Sequence, residues 1–229
     1  MFLLLLASPG FLFGEATKTQ QKILSAGDRF PAISLSDPLD PAERKYLGIG
    51  TKKIFHIDDI QGDLILIQYL GAHCMHCISS IPIFSQAYQA IEDDPATKKR
   101  IKMIAIASGS TPTETKDFKQ RYAVPYPILS DSEFEAHKAV GEPRVPFIVA
   151  ARKDRQRRWV VAVAEVGLVE FMSAQSSSEA NWVAVTVPGG EVFSVEDFVE
   201  ALKAMLPTSP AALKKKALSP STRSKGEGK

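Results

Sequence analysis

The chain has 229 residues, 45% of them hydrophobic and 24% charged, which suits one domain with a full apolar core plus tails. It holds only two cysteines, Cys74 and Cys77, and a loop that short restrains the unfolded chain too little to act as a stability framework. The formal net charge of +2 is split unevenly, +5 after Pro207 and −3 before it, so nothing in the body of the chain argues for nucleic-acid binding.

Residues 1–16 form a signal-peptide candidate. Phe2 to Phe13 is almost wholly apolar, and Gly14-Glu15-Ala16 supplies a small-x-small cleavage site before Thr17, although no Lys or Arg precedes the run. Export would place the chain in the periplasm or on the outer face of the cytoplasmic membrane of a bacterium, where disulfides persist. The expected globular body covers residues 17–206. Residues 27–37 read as an extended lead-in, Ala42–Leu47 as a short helix and Lys53–Ile60 as a strand ending at the Gln61-Gly62 turn. Leu64–Leu70 is apolar except at Gln68, as a strand covered on both faces would be. A helix is expected from Cys74 to Ile91.

Lys102–Ala107 is a second buried strand. Thr111-Pro112-Thr113-Glu114 reads as a capping box with proline at the first helical position, opening a helix that ends near Tyr122. A short strand over Tyr126–Leu129 and a helix over Glu133–Val140 follow, stopped by Gly141. Phe147–Ala151 and Trp159–Val166 alternate as a hairpin around a strongly basic loop, Arg152 to Arg158. Ser173–Glu179 reads as a surface loop, Trp182–Val187 as a further strand, and Ser194 as the cap of a helix reaching about Leu206. Residues 207–229, rich in Pro, Ser and Lys without an apolar period, read as a disordered basic tail. The alternation of strands and helices predicts an α/β fold with parallel central strands and right-handed crossovers.

The chemistry concentrates at Cys74-Met75-His76-Cys77, between a buried strand and a helix. Thiols two residues apart there can close and open a disulfide. A helix start favours the thiolate, which makes Cys74 the expected nucleophile and Cys77, about one turn in, the resolving thiol. His76 between them can donate to, or place positive charge beside, the Cys74 sulfur. His73 reads as an exposed loop residue. Pro146, after Val145 at the start of a strand, is sterically allowed there in any case.

This ordered set, strand, Cys-x-x-Cys, helix proline Pro82, later strand and Val145-Pro146, resembles the thioredoxin-fold family. The lead-in Gly27-Asp28-Arg29-Phe30-Pro31 and the long gap between Cys77 and Pro146 are similar to its TlpA-like (redoxin) branch. The resemblance implies a three-layer α/β/α sandwich with a mixed central sheet, over about residues 26–206. It also implies a thiol–disulfide oxidoreductase acting as a monomer on protein thiols or disulfides, with a membrane or periplasmic redox partner, no cofactor and no metal. By the same resemblance Cys74 attacks, Cys77 resolves, and Val145-Pro146 is a cis-proline loop that receives the substrate strand. Two positions depart from the pattern. His73 stands where thioredoxins usually carry Trp, and Gln68 stands where they commonly carry a buried acid, so Glu135, Glu142 or water would have to take the proton of the resolving thiol.

Two other readings compete. In a peroxiredoxin-like peroxidase the reactive cysteine sits in a Pro-x-x-x-Thr-x-x-Cys context, and neither that Pro nor that Thr is present before Cys74, where Leu70, Gly71 and Ala72 stand. A copper-handling module would join the cysteines to a distant histidine, His137 or His56. No phosphate-binding glycine loop, hydrolase triad or nucleotide fingerprint occurs.

Overall fold

The computed structural model describes residues 22–36, 39–166, 185–187, 190–192 and 194–207. The signal-peptide candidate, the Ser173–Glu179 loop and residues 208–229 of the expected tail lie outside the described residues. The elements in chain order are β1 (Ser34–Ser36), α1 (Pro41–Leu47), β2 (Ile54–His56), β3 (Leu64–Leu70), α2 (Met75–Asp93), β4 (Ile101–Ser108), α3 (Pro112–Arg121), β5 (Ile128–Asp131), α4 (Glu135–Ala139), β6 (Phe147–Lys153), β7 (Trp159–Val166), β8 (Val185–Val187), β9 (Gly190–Val192) and α5 (Val195–Met205).

A five-stranded sheet of order β5-β4-β3-β6-β7 organises the molecule. β3 pairs parallel with β4 and antiparallel with β6; β4–β5 is parallel and β6–β7 antiparallel, so the sheet is mixed. β3 is buried along its whole length and its side chains alternate between two apolar layers. Leu64, Leu66 and Leu70 join Ile81, Phe84 and Ala87 of α2 and Phe198, Val199 and Leu202 of α5 on one face. Ile65, Ile67 and Tyr69 join Leu47 of α1, Ala136 of α4 and the lead-in residues Phe30, Ile33 and Leu35 on the other. Helices therefore cover both faces, the α/β/α arrangement expected. The lead-in runs beside β7, with Phe30 N–H donating to the Trp159 carbonyl at 3.0 Å and Arg29 bridging antiparallel to Val160.

Local chemistry moved several boundaries. The strand expected over Lys53–Ile60 stops at His56, because the Asp59 carboxylate accepts from the His56 N–H (2.9 Å) and a 3-10 turn over Ile57–Asp59 follows. The helix expected from Glu133 begins at Glu135, since Phe134 is left-handed (φ 58°) and the buried Asp131 carboxylate accepts from the backbone of Ala136 (3.0 Å) and His137 (2.9 Å). The strand expected over Tyr126–Leu129 lies two residues later, at β5. β8 falls within the strand expected over Trp182–Val187 and pairs antiparallel with β9, which was not expected. The Thr111 capping box forms as read, with the Glu114 N–H on the Thr111 hydroxyl and the Thr111 N–H on the Glu114 carboxylate.

Gly141 closes α4 in the left-handed region (φ 91°), and a Cβ there would stand 2.4 Å from the Lys22 carbonyl and 2.6 Å from Ile23 Cα. Both neighbours are backbone and cannot swing aside. Gly141→Ala is therefore expected to cost about 2 kcal/mol of stability. Chemical denaturation would measure it, and a loss of only a few tenths of a kcal/mol would mean that the lead-in shifts freely.

Candidate functional site

β3 ends at Leu70, and a short turn returns the chain into α2. Cys74 is the N-cap of that helix, with extended backbone (φ −83°, ψ 110°), and its sulfur accepts from the Cys77 N–H at 3.2 Å. The thiol thus occupies the place of the serine or aspartate oxygen that normally satisfies a helix start. On its other side Cys74 Sγ lies 3.8 Å from the Val145 carbonyl oxygen, close enough for a weak S–H donor. That contact places the loop before β6 beside the thiol, and the Val145–Pro146 peptide in it is cis. Gly71 lies against the same junction, where a Cβ would make ordinary contact with Cys74 Cβ at 3.4 Å and Val145 Cγ2 at 3.7 Å.

The two thiols differ in environment. Both are free, Cys74 partly exposed and Cys77 buried. Burial, reinforced by a hydrogen bond with the Cys74 thiol, pushes the Cys77 thiol up to about 12. Cys77 is held in place from behind. Its carbonyl accepts from the Ser80 hydroxyl (2.7 Å), Ser80 Oγ accepts from Gln68 Nε2 (2.9 Å), and Gln68 Oε1 accepts from the Tyr126 hydroxyl (3.0 Å). Gln68 is 1% exposed and faces the same apolar layer as Cys77. The position where an acid was looked for is thus a neutral, fully engaged amide. Glu135 and Glu142 do not replace it: both are exposed, and α4 packs in the layer opposite to Cys77.

His76 lies exposed in the first turn of α2, and among the described residues no hydrogen bond joins its ring to either sulfur. His73 is also exposed and sits near enough to the Glu114 carboxylate to contribute to that group's lowered pKa, after the Thr111 hydrogen bonds that dominate it. The N-terminus of α3 therefore lies near His73, a neighbour not anticipated from the sequence. The exposed Met75 side chain (73%) stands beside them.

The histidines considered for copper are engaged elsewhere. His137 Nε2 lies 2.7 Å from the Pro143 carbonyl and His56 Nδ1 lies 3.1 Å from the Ile33 carbonyl. Among the described residues no group of three His, Cys, Asp or Glu side chains comes close enough together to hold a metal ion. Ser80 and Tyr126 were missed in the sequence reading. Tyr126 is 58 residues from Gln68, and only the folded sheet brings them together.

This arrangement, paired thiols at the start of a helix on a mixed sheet, defines an oxidoreductase of thioredoxin fold. Residues 26–157 match the model of the AhpC/TSA family, more than half of the chain, and the protein belongs to that family. It is similar to the thiol-disulfide oxidoreductase ResA of Geobacillus thermodenitrificans, 22% identical over 146 residues that cover 64% of this chain and 74% of the relative. The ResA of Bacillus thuringiensis subsp. konkukian is 21% identical over 154 residues, covering 67% and 79%. Among solved structures, the thioredoxin domain of a thiol-disulfide oxidoreductase from Bacteroides vulgatus superposes with a TM-score of 0.50 at 13% identity, covering 80% of this chain and 99% of that one. Mycobacterium bovis AhpC also gives 0.50, at 15% identity, covering 80% and 98%. At these identities the two structures speak for a shared fold.

Proposed function

We propose that the protein is an exported thiol–disulfide oxidoreductase that exchanges disulfides with protein partners through Cys74 and Cys77, acting as a monomer in the periplasm or on the outer face of the cytoplasmic membrane. The observation that carries the reading is the asymmetry of the pair. Cys74 caps α2 at the surface beside the Val145 carbonyl, and Cys77 is buried one turn behind it. The ResA relatives, named thiol-disulfide oxidoreductases, support it. The apolar run at Phe2–Phe13 supports export.

In the reducing direction the Cys74 thiolate attacks one sulfur of a partner disulfide, and the partner's other sulfur leaves as a thiolate and takes up a proton. Cys77 then loses its proton and attacks Cys74 Sγ. The mixed disulfide breaks, a Cys74–Cys77 disulfide forms, and the partner departs as a dithiol. Oxidation of a partner is the same path reversed. Val145 and Pro146 form the wall along which the partner strand lies. His76 places its imidazole at the rim, where a positive charge favours the reduced pair. A membrane or periplasmic redox partner resets the cycle.

The test is thiol counting in a glutathione buffer. Two titratable thiols are expected after reduction and none after equilibration with oxidised glutathione, with the mass of an internal disulfide. Thiols that stay free under oxidising buffer would remove the reading. The pH dependence of the second step is a further check. Because burial, the leading cause of the upward shift of the Cys77 thiol, persists once Cys74 is held in the mixed disulfide, the Cys77 thiolate fraction stays small near neutrality, and resolution is expected to quicken about tenfold per pH unit between about pH 6 and pH 9. A plateau below about pH 9 would mean that another group takes the proton.

The match to the AhpC/TSA family keeps a peroxidase as the second reading. Hydrogen peroxide would then oxidise Cys74 much faster than a protein disulfide does. Comparable slow oxidation of Cys74 and of a small-molecule thiol would dismiss it.

A further inference from the structure

At the end of the sheet remote from the thiols lies an open cavity of about 760 Å³, between the lead-in, the 3-10 turn after β2 and the β6–β7 hairpin. Its size falls within the range of small-molecule sites. Four of its lining residues are cationic, Arg29, Lys153, Arg157 and Arg158, and one is a carboxylate, Asp58. β6 runs from Phe147 beside the cis peptide to Lys153 at the cavity, so about 20 Å separate the two at ~3.3 Å per residue. The basic hairpin loop noted in the sequence thus has no part in the thiol chemistry.

The cations are not equivalent. Arg158 grips Asp154 through two nitrogens (2.9 and 2.7 Å), and Arg157 lies 3.3 Å from Asp63, which also binds Arg100. Arg29 and Lys153 form no ion pair among the described residues. Lys153 is the telling one. It is only 7% exposed, its ammonium sits 4.6 Å over the Trp159 ring, and its one hydrogen bond among the described residues is a long one, 3.5 Å, to the Ile60 carbonyl. An ammonium has three N–H groups to satisfy, and here no carboxylate of the described residues comes within ion-pair distance, Asp63 and Asp58 acting on it only from further off, so its burial is incompletely offset. Burial, with Arg157 nearby, lowers its pKa, and the more distant Asp63 and Asp58 oppose that shift without cancelling it.

The hairpin also holds Arg157 at a conformational cost. Its φ is 63°, the left-handed region in which glycine would be the ordinary residue. The Asp154 carboxylate fixes that turn by accepting from the N–H groups of Gln156 (2.8 Å) and Arg158 (2.9 Å), and so aims the Arg157 guanidinium toward the cavity rim. Phe30, Pro31, Ile57 and Trp159 supply apolar wall beside these charges.

We propose that this cavity is a binding site for a small organic dianion, a dicarboxylate or a phosphate monoester, with Lys153 and Arg29 as the two countercharges and Arg157 at the rim. Concavity favours a small molecule over a macromolecular surface. The two unpaired cations set the charge, and the apolar wall accepts a short carbon body. The dianion completes the hydrogen bonding of Lys153 without breaking an existing ion pair.

The test uses the full chain carrying Trp182→Phe, so that Trp159 in the cavity wall is the sole tryptophan reporter. Phenyl phosphate and succinate are titrated separately, with acetate and benzylamine as charge controls. Saturable one-to-one binding of either dianion is expected. Arg29→Gln and Lys153→Met should each weaken it about tenfold, the loss of one charge-assisted contact, and Cys74→Ser should leave it unchanged. Phenyl phosphate alone would assign the phosphate source, succinate alone the dicarboxylate. Arg29 is exposed, so its variant keeps the test valid should Lys153→Met fail to fold. Absence of saturation by both dianions up to about 10 mM, equal response to benzylamine, or affinity untouched by Arg29→Gln would overturn the assignment.

Discussion

Cys74→Ser is expected to abolish disulfide exchange, with loss of at least about a thousandfold in rate, while Cys77→Ser leaves attack intact and stops the cycle at the mixed disulfide. The asymmetry follows from the fold. Cys74 Sγ is the acceptor that caps the start of α2 at the surface, 3.2 Å from the Cys77 nitrogen, whereas Cys77 is 0% exposed and shares the core layer of Ile81 and Leu70. A partner sulfur can approach along the line of attack only at Cys74. Mass spectrometry after incubation with oxidised glutathione would decide. The Cys77→Ser variant should carry one glutathione on Cys74, and the Cys74→Ser variant none. An adduct on Cys77 would reverse the two roles.

How far the sequence discloses this depends on the range of the interactions involved. Strands β3 and β4 and the start of α2 are legible because their signals are local: an unbroken apolar run, a capping residue and a spacing. The Thr111 capping box is legible for the same reason, its donors and acceptors lying three residues apart. The start of α4 is not, because the carboxylate that caps it, Asp131, stands ahead of the helix across a residue with positive φ. The departure at Gln68 can be read from its place in the strand, but its partners cannot, since Ser80 and Tyr126 reach it only through packing of α2 and β5. That the hairpin loop is strongly basic can be read directly, but not that Lys153 is buried with its ammonium over the Trp159 ring and shares a cavity with Arg29, more than a hundred residues earlier in the chain. His76 could be named from its spacing, but whether it bonds a sulfur is a matter of rotamer that no sequence pattern fixes.

Gln68→Glu is the second large effect expected. In the present site nothing within the Gln68–Ser80–Tyr126 chain can accept the Cys77 proton, because the amide is neutral and both its ends are engaged. A carboxyl at the same place keeps an acceptor for the Tyr126 hydroxyl and faces the layer that holds Cys77. Burial favours its protonated form, so its pKa rises toward neutrality, where a proton relay works best. Release of the partner at about pH 7 is expected to quicken about a hundredfold, the low end for a positioned general base, and its tenfold rise per pH unit should flatten. Stability should fall by about 1–2 kcal/mol as the group ionises, because the protonated carboxyl can still donate to Ser80 Oγ whereas the carboxylate only accepts, and Ser80 must then turn from the Cys77 carbonyl to meet it. The sign with pH is fixed by the direction of the shift. An acid whose folded pKa is raised keeps its stability below the unfolded value, about 4.3, and loses it as pH rises through the folded one. Gln68→Leu separates the two effects: it strands the Tyr126 hydroxyl, lowers stability by a similar amount and offers no base, so release should stay slow. Single-turnover kinetics of the three proteins, read beside their denaturation curves, would show it. Equal release rates in all three would mean that Cys77 passes its proton directly to water and that position 68 acts only in packing.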